Sequence, residues 1–66
     1  MELDEMIRRA AALGADHAEA EHAGSSVSRL YSGRDIAQVL GLPSGLDGDT
    51  LVALREAYDG GRLDYW

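Results

Sequence analysis

From Leu3 onward, apolar side chains return at steps of three and four: Leu3, Met6, Ile7, Ala10, Leu13 and His17 share one stripe, with acids and arginines between them. The spacing predicts a helix over residues 2–22. Glu2, Asp4 and Glu5 stand at its start, where unsatisfied N–H groups favour negative charge. Asp4 with Arg8, and Glu5 with Arg9, are i,i+4 pairs with the acid first, the favourable order. Gly14 weakens the middle of this helix. After Leu13 the stripe thins to alanines and acids, which predicts fraying of the last turns, DHAEAEH.

Gly24, Ser25 and Ser26 interrupt the pattern and predict a turn. Val27, Leu30 and Tyr31 recur at i, i+3, i+4 and predict a short helical segment, although VSRLY also suits a brief strand. Ser32, three residues before Asp35, is placed to cap a helix over 35–40 that carries Ile36, Val39 and Leu40. Gly41 suits the position just past its end, and Pro43 blocks continuation. Asp47 or Asp49 can cap a further helix over 50–58, where Leu51, Leu54 and Tyr58 align. Gly60-Gly61 predicts the end of that helix and leaves RLDYW as a short tail. The expected fold is therefore one small all-α domain over residues 1–66, with three to four helices. A long N-terminal helix packs on short ones, the middle is helix-turn-helix-like, and residues 60–66 form an aromatic docking tail.

Size sharpens this picture. A chain of 66 residues buries only about 60% of its unfolded surface, and without cysteine it has no disulfide or thiolate metal site to reinforce a thin core. A second copy or another protein is expected to complete it. No apolar run approaches the roughly 20 residues that span a bilayer, so no membrane is expected. The acidic start, MELDE, is unlike a secretory signal or a basic transit peptide, which makes the cytoplasm the expected location. Every cation is arginine, and alanine and glycine are abundant; this bias fits the codon usage of a GC-rich bacterium or its phage.

Charge bears on the partner. The net charge is −6. Acids crowd residues 1–22 and 47–66, while the middle, with Arg29, Arg34 and Asp35, is slightly positive. The stretch SGRDIAQVLGLPSG, residues 32–45, resembles the first half of a helix-turn-helix of small DNA-binding regulators. The helix after it, however, opens with Asp47, Asp49 and Thr50, and the chain has neither lysine nor asparagine. A reading helix braces phosphates with cations and amides, so nucleic acid is not the expected partner.

Candidate chemistry is sparse. In DHAEAEH, Glu19 and His22 stand at i,i+3 and His17 and Glu21 at i,i+4, spacings used in carboxylate-bridged metal bundles. A complete site would need ligands from other helices or another copy. The plainer reading is a solvated helix end with His17 partly covering the core, and no metal ligand is assigned. The serines lie in turns without a GxSxG elbow, no glycine-rich loop precedes a lysine, and so small a fold leaves little room for a pocket of about 300 Å³. No catalytic residue and no cofactor are assigned, and an enzyme is not expected.

At the other end, Tyr58, Tyr65 and Trp66 gather around Arg62. Tyr, Trp and Arg are the types enriched in binding hot spots. Leu63 and Trp66 either fold back over the chain's own core or dock into a partner. The function expected from these features is that of a small acidic, non-catalytic adaptor, regulator or inhibitor. It would grip another protein, or a second copy as a homodimer, through Leu3, Met6, Ile7, Ala10 and Leu13 and through Arg62, Tyr65 and Trp66. The alternative is a nucleic-acid mimic that inhibits a DNA-binding enzyme, its acids standing in for phosphates. Lesser alternatives are a precursor peptide with a Tyr/Trp core and a helix-turn-helix DNA binder.

Overall fold

Three helices make up the protein in the computed structural model, which describes residues 2–24 and 29–65. They are α1 (Leu3–His22), α2 (Gly33–Val39) and α3 (Gly48–Tyr65). The fold is the small all-α domain expected from the pattern. Its long axis of 34 Å is close to what the 20 residues of α1 span at about 1.5 Å each.

The short α2 is held at both ends by local chemistry that its sequence advertises. Ser32 Oγ accepts the Asp35 N–H at 3.1 Å, which satisfies one orphan donor of the first turn. Beyond the C-cap residue Leu40, Gly41 takes φ +72°. Gly41 N–H then donates to the Gln38 carbonyl and Leu42 N–H to the Ala37 carbonyl. These are the two bonds of a Schellman ending, which needs a residue in the left-handed region. Asp47, the nearer of the two aspartates, caps α3: its Oδ1 accepts Thr50 N–H at 2.9 Å.

α3 is the central element and packs against both α1 and α2. It departs from expectation at its C-terminal end. The helix continues through Gly60 and Gly61 to Tyr65, 18 residues in all, so residues 60–65 are not a hinged tail. The reason lies in packing. A Cβ on Gly61 would overlap the Ala11 carbonyl oxygen of α1, and a Cβ on Gly14 would overlap the Tyr58 carbonyl oxygen of α3. The two glycines mark the place where the helices cross backbone to backbone, so each is a contact rather than a weak point or a stop.

The core is small. Ala10, Ala18, Ile36, Leu54 and Tyr58 are fully enclosed and Ala37 nearly so, with Met6, Leu13, Leu30, Leu40, Leu42, Leu46 and Leu51 packed around them. Tyr58 is the largest buried side chain. Its hydroxyl receives the Leu30 N–H at 3.2 Å and lies 2.6 Å from His17 Nδ1. One phenol thus ties together α1, α3 and the connection between α1 and α2. Leu30 and Tyr31 are not helical; of the short segment expected there, Val27 lies outside the described residues.

The last turns of α1 do not fray but are pinned to α3. Arg62 donates two hydrogen bonds to Glu21, Nη1 to Oε1 and Nη2 to Oε2, each at 2.9 Å, and the His22 ring meets the Tyr65 ring edge-on at 6.1 Å. At the other end, Arg9 Nη2 donates to the Leu40 carbonyl at 3.0 Å, fastening α1 to the end of α2.

Candidate interaction surface

The residues expected to face a partner occupy three different situations. Ala10 is fully buried, and Met6 and Leu13 pack against the core. Ile7 is half-buried, and Leu3, 46% exposed, is the most accessible of the stripe. Most of the stripe therefore serves as the seam with the rest of the fold. Arg62 is committed to Glu21, with only 13% of its side chain exposed. Tyr65 is partly exposed beside His22, and Trp66 lies outside the described residues. The acidic and histidine side chains of DHAEAEH also diverge. His17 turns to Tyr58 and Glu21 to Arg62, while Asp16 and Glu19 point outward. Among the described residues no three His, Asp or Glu side chains gather as a metal site.

Three charged groups are shifted by their hydrogen-bond partners. The paired hydrogen bonds from Arg62 hold the Glu21 carboxyl below its usual value, and the same bonds raise the Arg62 guanidinium. The Asp47 carboxyl is lowered by its hydrogen bonds to the Thr50 side chain and N–H. These are fastenings of the fold.

A small hollow of about 260 Å³ lies beside Arg62, between Arg29, Asp59 and Leu63, and two others lie elsewhere, between α2, the 40–47 connection and α3. One hollow of about 330 Å³ is walled by Ala37, Leu42, Pro43, Leu46 and Leu51, with Arg34 and Gln38 on the α2 side. A second, more open hollow of about 410 Å³ adjoins it along Tyr31, Val52 and Arg55. Arg34 and Leu51 belong to both, so the two hollows adjoin and together make the α2–α3 groove. The expectation of little room for a hollow of this size is not met, because Leu42, Pro43 and Leu46 of the connection stand opposite Ala37 and Leu51. Leu42 and Leu46 pack against the core, and Pro43, Ser44 and Gly45 between them complete the wall that faces Ala37 and Leu51.

The groove is apolar in its walls and positive at its edge. Among the described residues neither hollow has an Asp or Glu in its lining, although acids are 12 of the chain's 66 residues. Arg34 is exposed and has no ion pair or hydrogen bond among the described residues. Arg55 Nε approaches Asp59 only to 4.0 Å, whereas Arg29 holds that carboxylate at 2.7 Å. Tyr31 and Val52 leave 70% and 56% of their surface in solvent. Sequence reasoning noted the positive middle of the chain but not the groove, because Leu42 and Leu46 sit in a loop with no periodicity to place them. Among the described residues no helix is long and apolar enough to cross a membrane. Comparison of the chain with protein-family models, curated proteins and solved structures gives no match.

Proposed function

We propose that this protein is a small acidic, non-catalytic adaptor or regulator that works by holding another polypeptide, and that the α2–α3 groove is its contact surface. One observation carries the reading: a hollow walled by Leu42, Leu46 and Leu51 adjoins a second one edged by two large exposed apolar side chains, Tyr31 and Val52. Apolar clusters rimmed by polar groups are what protein contacts use. Arginine and tyrosine at the edge are side chains from which binding hot spots are built. The thin core adds support, because an occupant in the groove would cover Leu42, Leu46 and Leu51 and extend the apolar interior.

The reading moves the contact from the α1 stripe and the C-terminal aromatics to the other side of α3, since the stripe is largely occupied by the chain's own packing. The test is site-specific photo-crosslinking in the native host. A benzoylphenylalanine in place of Val52 is expected to capture a protein, and the same group in place of Glu19, on the outer side of α1, is not. No protein adduct from Val52, or equal capture from both positions, overturns the reading.

A further inference from the structure

We propose that the occupant of the groove is an acidic segment of another protein, with an apolar side chain seated among Leu42, Leu46 and Leu51 and a carboxylate held by Arg34. The inference rests on the reading of the groove as an interaction surface and assigns the chemistry of what it takes.

Charge complementarity selects the segment. In a chain with 12 acids and 6 arginines, the groove gathers Arg34 and Arg55 and no carboxylate. At physiological salt, charges beyond about 8 Å are screened, so an occupant seated beside Arg34 responds to the charges around it rather than to the net −6 of the whole molecule. Arg34 stands where the two hollows meet, and its guanidinium has no partner among the described residues to displace. A guanidinium offers a planar fork that matches a carboxylate with two parallel bonds.

A nucleic-acid strand fits the same surface poorly. Backbone binding draws its affinity from several cations in register with successive phosphates. Here, among the described residues, the lining supplies only two arginines, and the leucine-walled hollow of Leu42, Leu46 and Leu51 has Arg34 as its one cation. A second copy of this chain is also a poor match. Its exposed acidic–apolar stretches, Glu2 to Glu5 and Leu63 to Tyr65, lie at helix ends held by its own packing, Met6 against the core and Arg62 bonded to Glu21.

The test uses the full chain and two synthetic peptides that share one leucine–tryptophan centre, one flanked by aspartates and the other by lysines. Binding is followed residue by residue through ¹H–¹⁵N amide shifts. The aspartate peptide is expected to bind about tenfold more tightly and to move the amides of residues 34–38, 42–46 and 51–52. Arg34→Glu, at an exposed position with no partner to lose, is expected to keep the spectrum of the folded chain and reverse the preference between peptides. Equal affinity for both peptides, or shifts confined to other surfaces, overturns the proposal. Larger shifts of the same amides with a single-stranded oligonucleotide overturn it in favour of phosphate. Concentration-dependent shifts there without peptide overturn it in favour of a second copy. If Val52 captures a protein in cells but the aspartate peptide has no advantage, the charge assignment falls and the contact surface stands. If Val52 captures none, the surface itself falls.

Discussion

Two adjacent glycines in α3 have opposite expected responses to the same substitution. Both are helical, and alanine is the better helix former by about 1 kcal/mol. A Cβ on Gly60 meets nothing within 4 Å, so Gly60→Ala is expected to stabilise the protein by several tenths of a kcal/mol up to about 1 kcal/mol. A Cβ on Gly61 runs into the Ala11 backbone, which cannot rotate away as a side chain could. Gly61→Ala is therefore expected to force α1 and α3 apart and to cost about 1–3 kcal/mol net. Urea unfolding of the two variants checks the pair, and equal signs would disprove the backbone-to-backbone crossing. Tyr58→Phe makes a related point about polarity. It keeps the ring in the core but leaves Leu30 N–H and His17 Nδ1 without the hydroxyl they share. The expected cost in the same experiment is about 1–3 kcal/mol, the range for orphaning a buried hydrogen-bonding group.

The ends of the helices carry the pH dependence. In the folded state the Glu21 carboxyl sits below its usual value because Arg62 donates two hydrogen bonds to it. A group whose folded pKa is depressed contributes stability that is fully present above its unfolded pKa and is lost as pH falls through the folded one. The melting temperature is thus expected to fall on acidification through and below the ordinary glutamate range. Glu21→Gln is expected to be less stable at neutral pH and to flatten that part of the profile; thermal melts from pH 7 downward measure it. Asp47 adds a second acid-sensitive fastening of the same sign, through Thr50. How much of each element was legible follows the same division between local and distant causes. The ends of α2 could be read because Ser32, Asp35 and Gly41 act within a few residues of themselves. The end of α3 could not, because Gly61 answers to Ala11, fifty positions earlier in the chain. Equally, the arginines of the groove were visible as charges, while the hollow they border depends on how residues 40–47 leave α2, which no periodicity encodes.

Across the whole molecule, folding and the proposed binding draw on neighbouring side chains of α3 that face opposite ways. Leu54 is fully buried and Val52 is largely exposed. Leu54→Ala is expected to cost about 2–5 kcal/mol, as core truncations do, a large part of the roughly 5–15 kcal/mol that holds a domain folded, and hence to leave a partly unfolded chain. Val52→Asp removes no core contact, so its stability alone is expected to stay within about 0.5 kcal/mol of the parent, while an acid placed in the groove repels an acidic occupant. The partner's effect on the melt separates the two. A ligand at a hundred times its Kd stabilises the folded state by about 2.7 kcal/mol, and for so short a chain each kcal/mol moves Tm by about 4–8 °C. The protein captured through Val52 is therefore expected to raise the parent's melting temperature by roughly 10–20 °C at that excess. The same addition is expected to leave Val52→Asp unmoved. A partner that stabilises both chains equally would be binding away from the groove, and the small core would then be completed from another side.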